Sequence, residues 1–126
     1  MPARAEQIAL KLRARIMRGD DIAIGPGKAD LLEAIVRTGS ISAAAKQMAM
    51  SYRRAWQLVG TMNRCFVEPL VILAIGGKQG GGALLSPLGD TVLKDYRALQ
   101  RALESAAASH AETIKRQLNP PVETSD

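Results

Sequence analysis

With one cysteine and one histidine among its 126 residues, the chain lacks the side chains that several function classes need. Cys65 has no partner for an internal disulfide, which suits a reducing compartment, and its plain reading is a small buried apolar side chain. Neither a nucleophile–base pair nor a carboxylate cluster is visible. A non-enzyme without metal or cofactor is therefore expected. No apolar run approaches the ~20 residues of a membrane span. Arg4, Glu6, Lys11 and Arg13 interrupt any leader-like stretch, so the expectation is a cytoplasmic chain with no membrane partner. Aromatics make up only 3%, so a core must rest on Leu, Ile, Val, Ala and Met. The length suits one domain.

Acidic residues are scarce in one place. Residues 1–36 carry a net charge of +1, residues 37–78 of +5 and residues 79–126 of −1. The middle block holds Arg37, Lys46, Arg53, Arg54, Arg64 and Lys78 against Glu68 alone. A local basic block points to a polyanionic partner, where an even spread would point to solubility.

Hydrophobic spacing organises the chain. Ile8, Leu12 and Ile16, four apart, predict an amphipathic helix over Ala5–Arg18, stopped by Gly19-Asp20-Asp21. Ile22-Ala23-Ile24 reads as a short strand. A second helix follows to Arg37, burying Leu31, Leu32, Ile35 and Val36, and ends at Gly39. Ser40 caps a third helix with Ile41, Ala44, Ala45 and Met48 inward. Ala49-Met50 turns the chain, and Ser51 caps a fourth helix with Ala55, Leu58, Val59 and Met62 inward. The strand 70–75 and Ala83-Leu84-Leu85 flank a glycine loop, Gly76 to Gly82, that reads as a hairpin tip. From Pro87 to about Gln117, Val92, Tyr96, Leu99, Leu103, Ala106, His110 and Thr113 form a coiled-coil seam. At ~1.5 Å per residue that helix would be roughly 45 Å long, so its seam is expected to meet a second chain. The fold class expected is mainly α (α+β): a winged helix-turn-helix with a two-stranded wing and a long C-terminal dimerisation helix. It would occupy residues 1–118, with a disordered tail over 119–126.

Two short helices joined by a turn place the second one in the DNA major groove in many regulators. Arg53 and Arg54 stand in its first turn. Arginine can pair with guanine O6 and N7, and Gln57 with adenine. Ser42 and Ser51 start helices and could also contact phosphate, as could Lys46, while Tyr52 either packs beside Trp56 or reaches a phosphate. Trp56 reads as a core residue, with a groove-wall contact as the alternative. Lys78 and Gln79 at the loop tip would lie along the backbone or minor groove. The glycine loop does not match a nucleotide-binding motif. An architectural DNA-binding protein, or a protein-interaction module using the same basic face, is the competing reading.

Gly39-Ser-Ile-Ser-x-Ala-Ala-Lys, Met50-Ser-Tyr-Arg-Arg-Ala-Trp, Met62-Asn63, Pro69-Leu-Val, Gly76-Gly-Lys-x-Gly-Gly-Gly-Ala and Gly89 near Tyr96 resemble the N-terminal domain of the ModE family of molybdate-responsive transcription regulators. LysR-type regulators are similar only over Gly39 to Val59. The ModE resemblance implies a homodimer on double-stranded DNA, with a reading helix at 51–62, a wing at 76–82, and a link to molybdate metabolism or transport. It implies a dimer interface made by the first helix and the helix after the wing: Ile8, Leu12, Ile16, Val92, Tyr96, Leu99 and Leu103. Family members hold molybdate in C-terminal domains that this sequence does not contain, so molybdate binding is not expected of this chain alone.

Overall fold

The computed structural model describes residues 7–74 and 82–121. Four helices and two small antiparallel sheets appear in the order β1 (Ile16–Arg18), β2 (Asp21–Ile24), α1 (Pro26–Thr38), α2 (Ile41–Gln47), α3 (Tyr52–Cys65), β3 (Val71–Ala74), β4 (Gly82–Leu85), α4 (Pro87–Lys115). This architecture is compatible with a winged helix. The chain divides into two compact units, Arg13–Leu99 and a smaller one made from its two ends, Met1–Leu12 and Gln100–Asp126.

Among the described residues the expected first helix over Ala5–Arg18 is absent. Residues 7–15 have no regular secondary structure, and Ile16–Arg18 is a strand paired with β2. The physical reason is visible in the residues themselves. Ile8, Leu10, Leu12, Ala14 and Ile16 alternate with Lys11, Arg13 and Arg15, which is the period of a strand as much as four-residue spacing is that of a helix. Gly19, at φ +62°, supplies the left-handed residue that a two-residue hairpin turn needs.

Local chemistry sets the helix ends. Pro26 sits at the start of α1, and Gly39, at φ 80°, closes it by donating to the Ile35 carbonyl at 2.8 Å. Ser40 Oγ accepts the Ala43 amide and Ser51 Oγ the Arg54 amide, both at 3.0 Å. Between α2 and α3 the chain turns through Ala49, at φ 53°, held by Met50 N donating to Ala45 O at 3.0 Å.

In the larger unit, the core draws Leu31, Leu32 and Ile35 from α1, Ala44 and Ala45 from α2, and Ala55, Val59 and Met62 from α3. Alanines at the crossings let the helices approach closely, so burial is complete with few aromatics. Val36, expected inside, is 59% exposed, because α1 presents only its Leu31/Leu32/Ile35 face to the core. Cys65 is half-buried rather than enclosed.

Residues 69–71 lie at the centre of a bonded junction. Asn63 Oδ1 accepts the amides of Leu70 (2.8 Å) and Val71 (3.1 Å), and Asn63 Nδ2 donates to Val71 O at 3.2 Å. Buried Ser86 donates its hydroxyl to Pro69 O at 2.6 Å and accepts the Gly89 amide at 2.9 Å, which caps α4. Gly89 is then so close to this strand that a Cβ there would lie 2.2 Å from Leu70 O. The first turns of α4 therefore pack on the core. Val92 and Leu99 lie partly buried against it, and Tyr96 is 2% exposed with its hydroxyl donating to Ala14 O at 2.7 Å. Tyr96 is thus a core residue of this chain. An apolar stripe at helical spacing serves whichever partner reaches it first, and here that partner is the chain's own core. Arg97 adds ion pairs to Asp30 and Glu33, each at 2.7 Å.

In the smaller unit, Ile8 and Leu10 border a shallow apolar hollow with Ala111, Ile114 and Leu118. Among the described residues no helix is long and apolar enough to cross a membrane. Residues 75–81, which include the tip residues Lys78 and Gln79, and residues 122–126 of the tail lie outside the described residues.

Gly89→Ala should destabilise the protein by about 2–3 kcal/mol, because backbone and not a flexible side chain must move; chemical denaturation checks this. A second expectation concerns acid. The hydrogen bond from Arg97 holds the Glu33 carboxyl below the usual carboxylate range, with the ion pair adding to it against the opposing effect of burial. A depressed carboxyl contributes stability above its unfolded value and loses it as pH falls through the folded value. Glu33 is 43% exposed, so the contribution stays below about 1 kcal/mol. Arg97→Met should lower the melting temperature at neutral pH and flatten its fall between about pH 5 and pH 3.

Candidate nucleic-acid interface

From residue 34 to residue 67 the chain contains no carboxylate, while Arg37, Lys46, Arg53, Arg54 and Arg64 fall within it. The packing of α3 decides where most of that charge goes. Ala55, Val59 and Met62 are buried, which leaves Tyr52, Arg53, Arg54, Trp56, Gln57 and Arg64 exposed. Both first-turn arginines lie just past the Ser51 cap and Tyr52, at the positive end of the helix dipole. Neither makes a side-chain hydrogen bond or ion pair to another described residue, so their donors are available to an outside acceptor.

On one side of this turn, Ser42 and Lys46 of α2 border an open hollow with Tyr52 of α3. The Tyr52 and Trp56 rings stand edge to face, with centroids 5.9 Å apart and planes at 76°. Trp56 is 36% exposed, which corrects its reading as a core residue. The core at this level is already closed by alanines, so the indole lies on the outer face. Gln57 is exposed one turn on, and Arg64 is steered by donating to Thr61 Oγ1 at 3.4 Å. By contrast Arg37 is engaged with Gln47, donating from Nε at 2.9 Å.

The structure thus groups Ser42, Lys46, Ser51, Tyr52, Arg53, Arg54 and Gln57 on and around one helix end. The remaining residues of the expected dimer set differ in exposure. Leu12 and Ile16 are 40% and 49% exposed and Leu103 36%, while Ile8 is half-buried. Reading the start of the chain as a helix hid another group. Arg13 and Arg15 come from the segment before β1 to a cavity that Arg54 also lines, a placement that alternation of charged and apolar residues could have signalled. Among the described residues no group of three His, Cys, Asp or Glu side chains could hold a metal ion.

No family model matches this chain. Among curated proteins it is 42% identical over 100 residues to the molybdenum transport protein ModE of Azotobacter vinelandii, covering 78% of this chain and 37% of that one. The molybdenum-pterin-binding protein MopB of Rhodobacter capsulatus is 41% identical over 91 residues, covering 72% of this chain and 34% of its own length. The DNA-binding transcriptional dual regulator ModE of Escherichia coli K12 is 38% identical over 81 residues, covering 64% and 31%. This chain belongs to the ModE family. It spans about a third of the length of the ModE-family relatives it matches.

Ser51→Ala should cost about 1 kcal/mol through loss of the cap. Hydrogen exchange should show faster opening at the Arg53 and Arg54 amides than at Met62, and thermal denaturation should report the loss.

Proposed function

We propose that this protein is a DNA-binding transcriptional regulator that docks α3 in the major groove of double-stranded DNA. The observation that carries this reading is the exposed, carboxylate-free face of α3 with two unengaged arginines in its capped first turn. Arg53 and Arg54 would read guanine and Gln57 adenine, while Ser42, Lys46, Ser51 and Tyr52 would hold the flanking phosphates. The antiparallel β3–β4 pair, in register from Val71↔Leu85 to Ala74↔Gly82, supports a wing over 76–82 whose Lys78 and Gln79 follow the backbone. The names of the relatives support a link to molybdate metabolism or transport.

The working form is a homodimer on a two-fold-symmetric operator. Its support is the uncovered apolar surface at the chain's ends, where Leu10, Leu12, Leu103 and Ile114 are 43%, 40%, 36% and 64% exposed. In this form Val92, Tyr96 and Leu99 serve the protomer's own core and support the dimer helix from behind.

The decisive experiment is selection of DNA fragments from a random pool, followed by gel shift over a salt series. A palindromic consensus is expected. The Arg53→Ala/Arg54→Ala double variant should lose specific binding by about 1–3 kcal/mol per base contact, and Lys78→Ala should weaken all sequences alike. Unchanged affinity in the double variant would remove α3 as the reading helix. Binding without sequence preference would favour an architectural role, and no binding even at low salt would favour a protein-interaction module.

A further inference from the structure

Beside the reading helix, Arg13, Arg15, Lys28 and Arg54 converge on one cavity of about 300 Å³, and no carboxylate lines it. Its floor is the start of α1, where Gly25, Pro26 and Gly27 line the wall. Gly25 offers no side chain to cap the helix, and the first turn holds no acidic residue, so the Gly27 and Lys28 amides receive no side-chain cap. Four cations and an uncapped helix start are thus aimed at one volume.

Lys28 carries the strongest signal in it. The residue is 8% exposed, yet its ammonium makes no hydrogen bond or ion pair to any described residue. No fully buried side-chain nitrogen among the described residues lacks a partner, so this ammonium must reach solvent, and the cavity it lines is where it can. Burial pushes its pKa below the ordinary lysine range, with repulsion from Arg54 and Arg15 adding to this against attraction from Cys65 and Asp21. A largely buried cation without a partner among the described residues, repelled by Arg54 and Arg15, is costly as it stands, and an anion in the cavity would relieve it. A Cβ on Gly27 would meet nothing within 4 Å, so the space above the helix start is open.

We propose that this cavity binds one tetrahedral oxyanion of the phosphate class, supplied either as a free ion or as a backbone phosphate of DNA. Helix-start amides and arginines are the usual holders of such groups. Because Arg54 belongs to both the cavity and the reading helix, occupancy by a free ion would compete with DNA. In its free-ion form the inference does not rest on the DNA reading.

The test uses the full chain and two variants. Lys28→Met keeps the buried stem and removes the charge, and Gly27→Val fills the open space without touching any charge. Calorimetric titration with orthophosphate, in chloride buffer without DNA, should show saturable binding of one ion per chain, weakened at least tenfold in both variants. If DNA supplies the phosphate, orthophosphate will not saturate, but Lys28→Met will weaken all DNA sequences alike and make the salt slope shallower by about 0.9. Should Lys28→Met fail to fold by circular dichroism, Gly27→Val decides. Orthophosphate binding that survives both variants would overturn the assignment. So would wild-type levels of DNA and phosphate binding in folded variants. Lys28-dependent phosphate binding by a protein that binds no DNA would sink the regulator reading and leave this one standing.

Discussion

Everything in the larger unit is arranged around the passage of residues 69–71 between α3 and α4. Leu70 and Val71 are buried, so their backbone groups must be paired, and the strand partner β4 does not supply all the partners. Asn63 from α3 and Ser86 from the start of α4 do so instead, reaching Pro69, Leu70 and Val71 from two sides. Their bonds fix the distance at which α4 crosses, and only glycine at position 89 fits under it. The same passage orients β3, whose partner β4 is tied in turn to the α1–α2 junction by Ala83 N donating to Gly39 O at 2.8 Å. A polar junction of two side chains thus sets the geometry of helices and hairpin together.

The small-residue core and the basic surface are two sides of one choice. Alanines at the α1, α2 and α3 crossings close the core with little volume, so the bulky aromatics on α3 are not needed inside. Tyr52 and Trp56 then remain on the outer face beside Arg53 and Arg54, where rings and cations form a rigid, donor-rich surface. Burial of Ala55, Val59 and Met62 leaves α3 little freedom to rotate that surface away.

Much of this was legible in the residues. Helix ends follow from Ser40, Ser51, Pro26 and Gly39, whose chemistry acts within one turn and needs no distant partner. The inner faces of α2 and α3 follow from apolar spacing, and the grouping of Ser42 to Gln57 follows from both. The start of the chain failed because its apolar residues satisfy two periods at once, and a contact with Tyr96 on α4 lies 82 residues away from Ala14. Trp56 failed because hydrophobicity alone does not say whether a core has room.

By itself, the sequence determined the local elements: two capped helices around a turn, a basic block with a single carboxylate, and two short apolar strands. Those properties depend on neighbours three or four residues away or on composition. Only the tertiary structure decided that residues 7–15 form no helix and Ile16–Arg18 a strand, that Tyr96 is a core residue, and that Arg13, Arg15, Lys28 and Arg54 share one cavity. Each of these depends on groups far apart in the chain, and their meeting is fixed by packing and not by spacing.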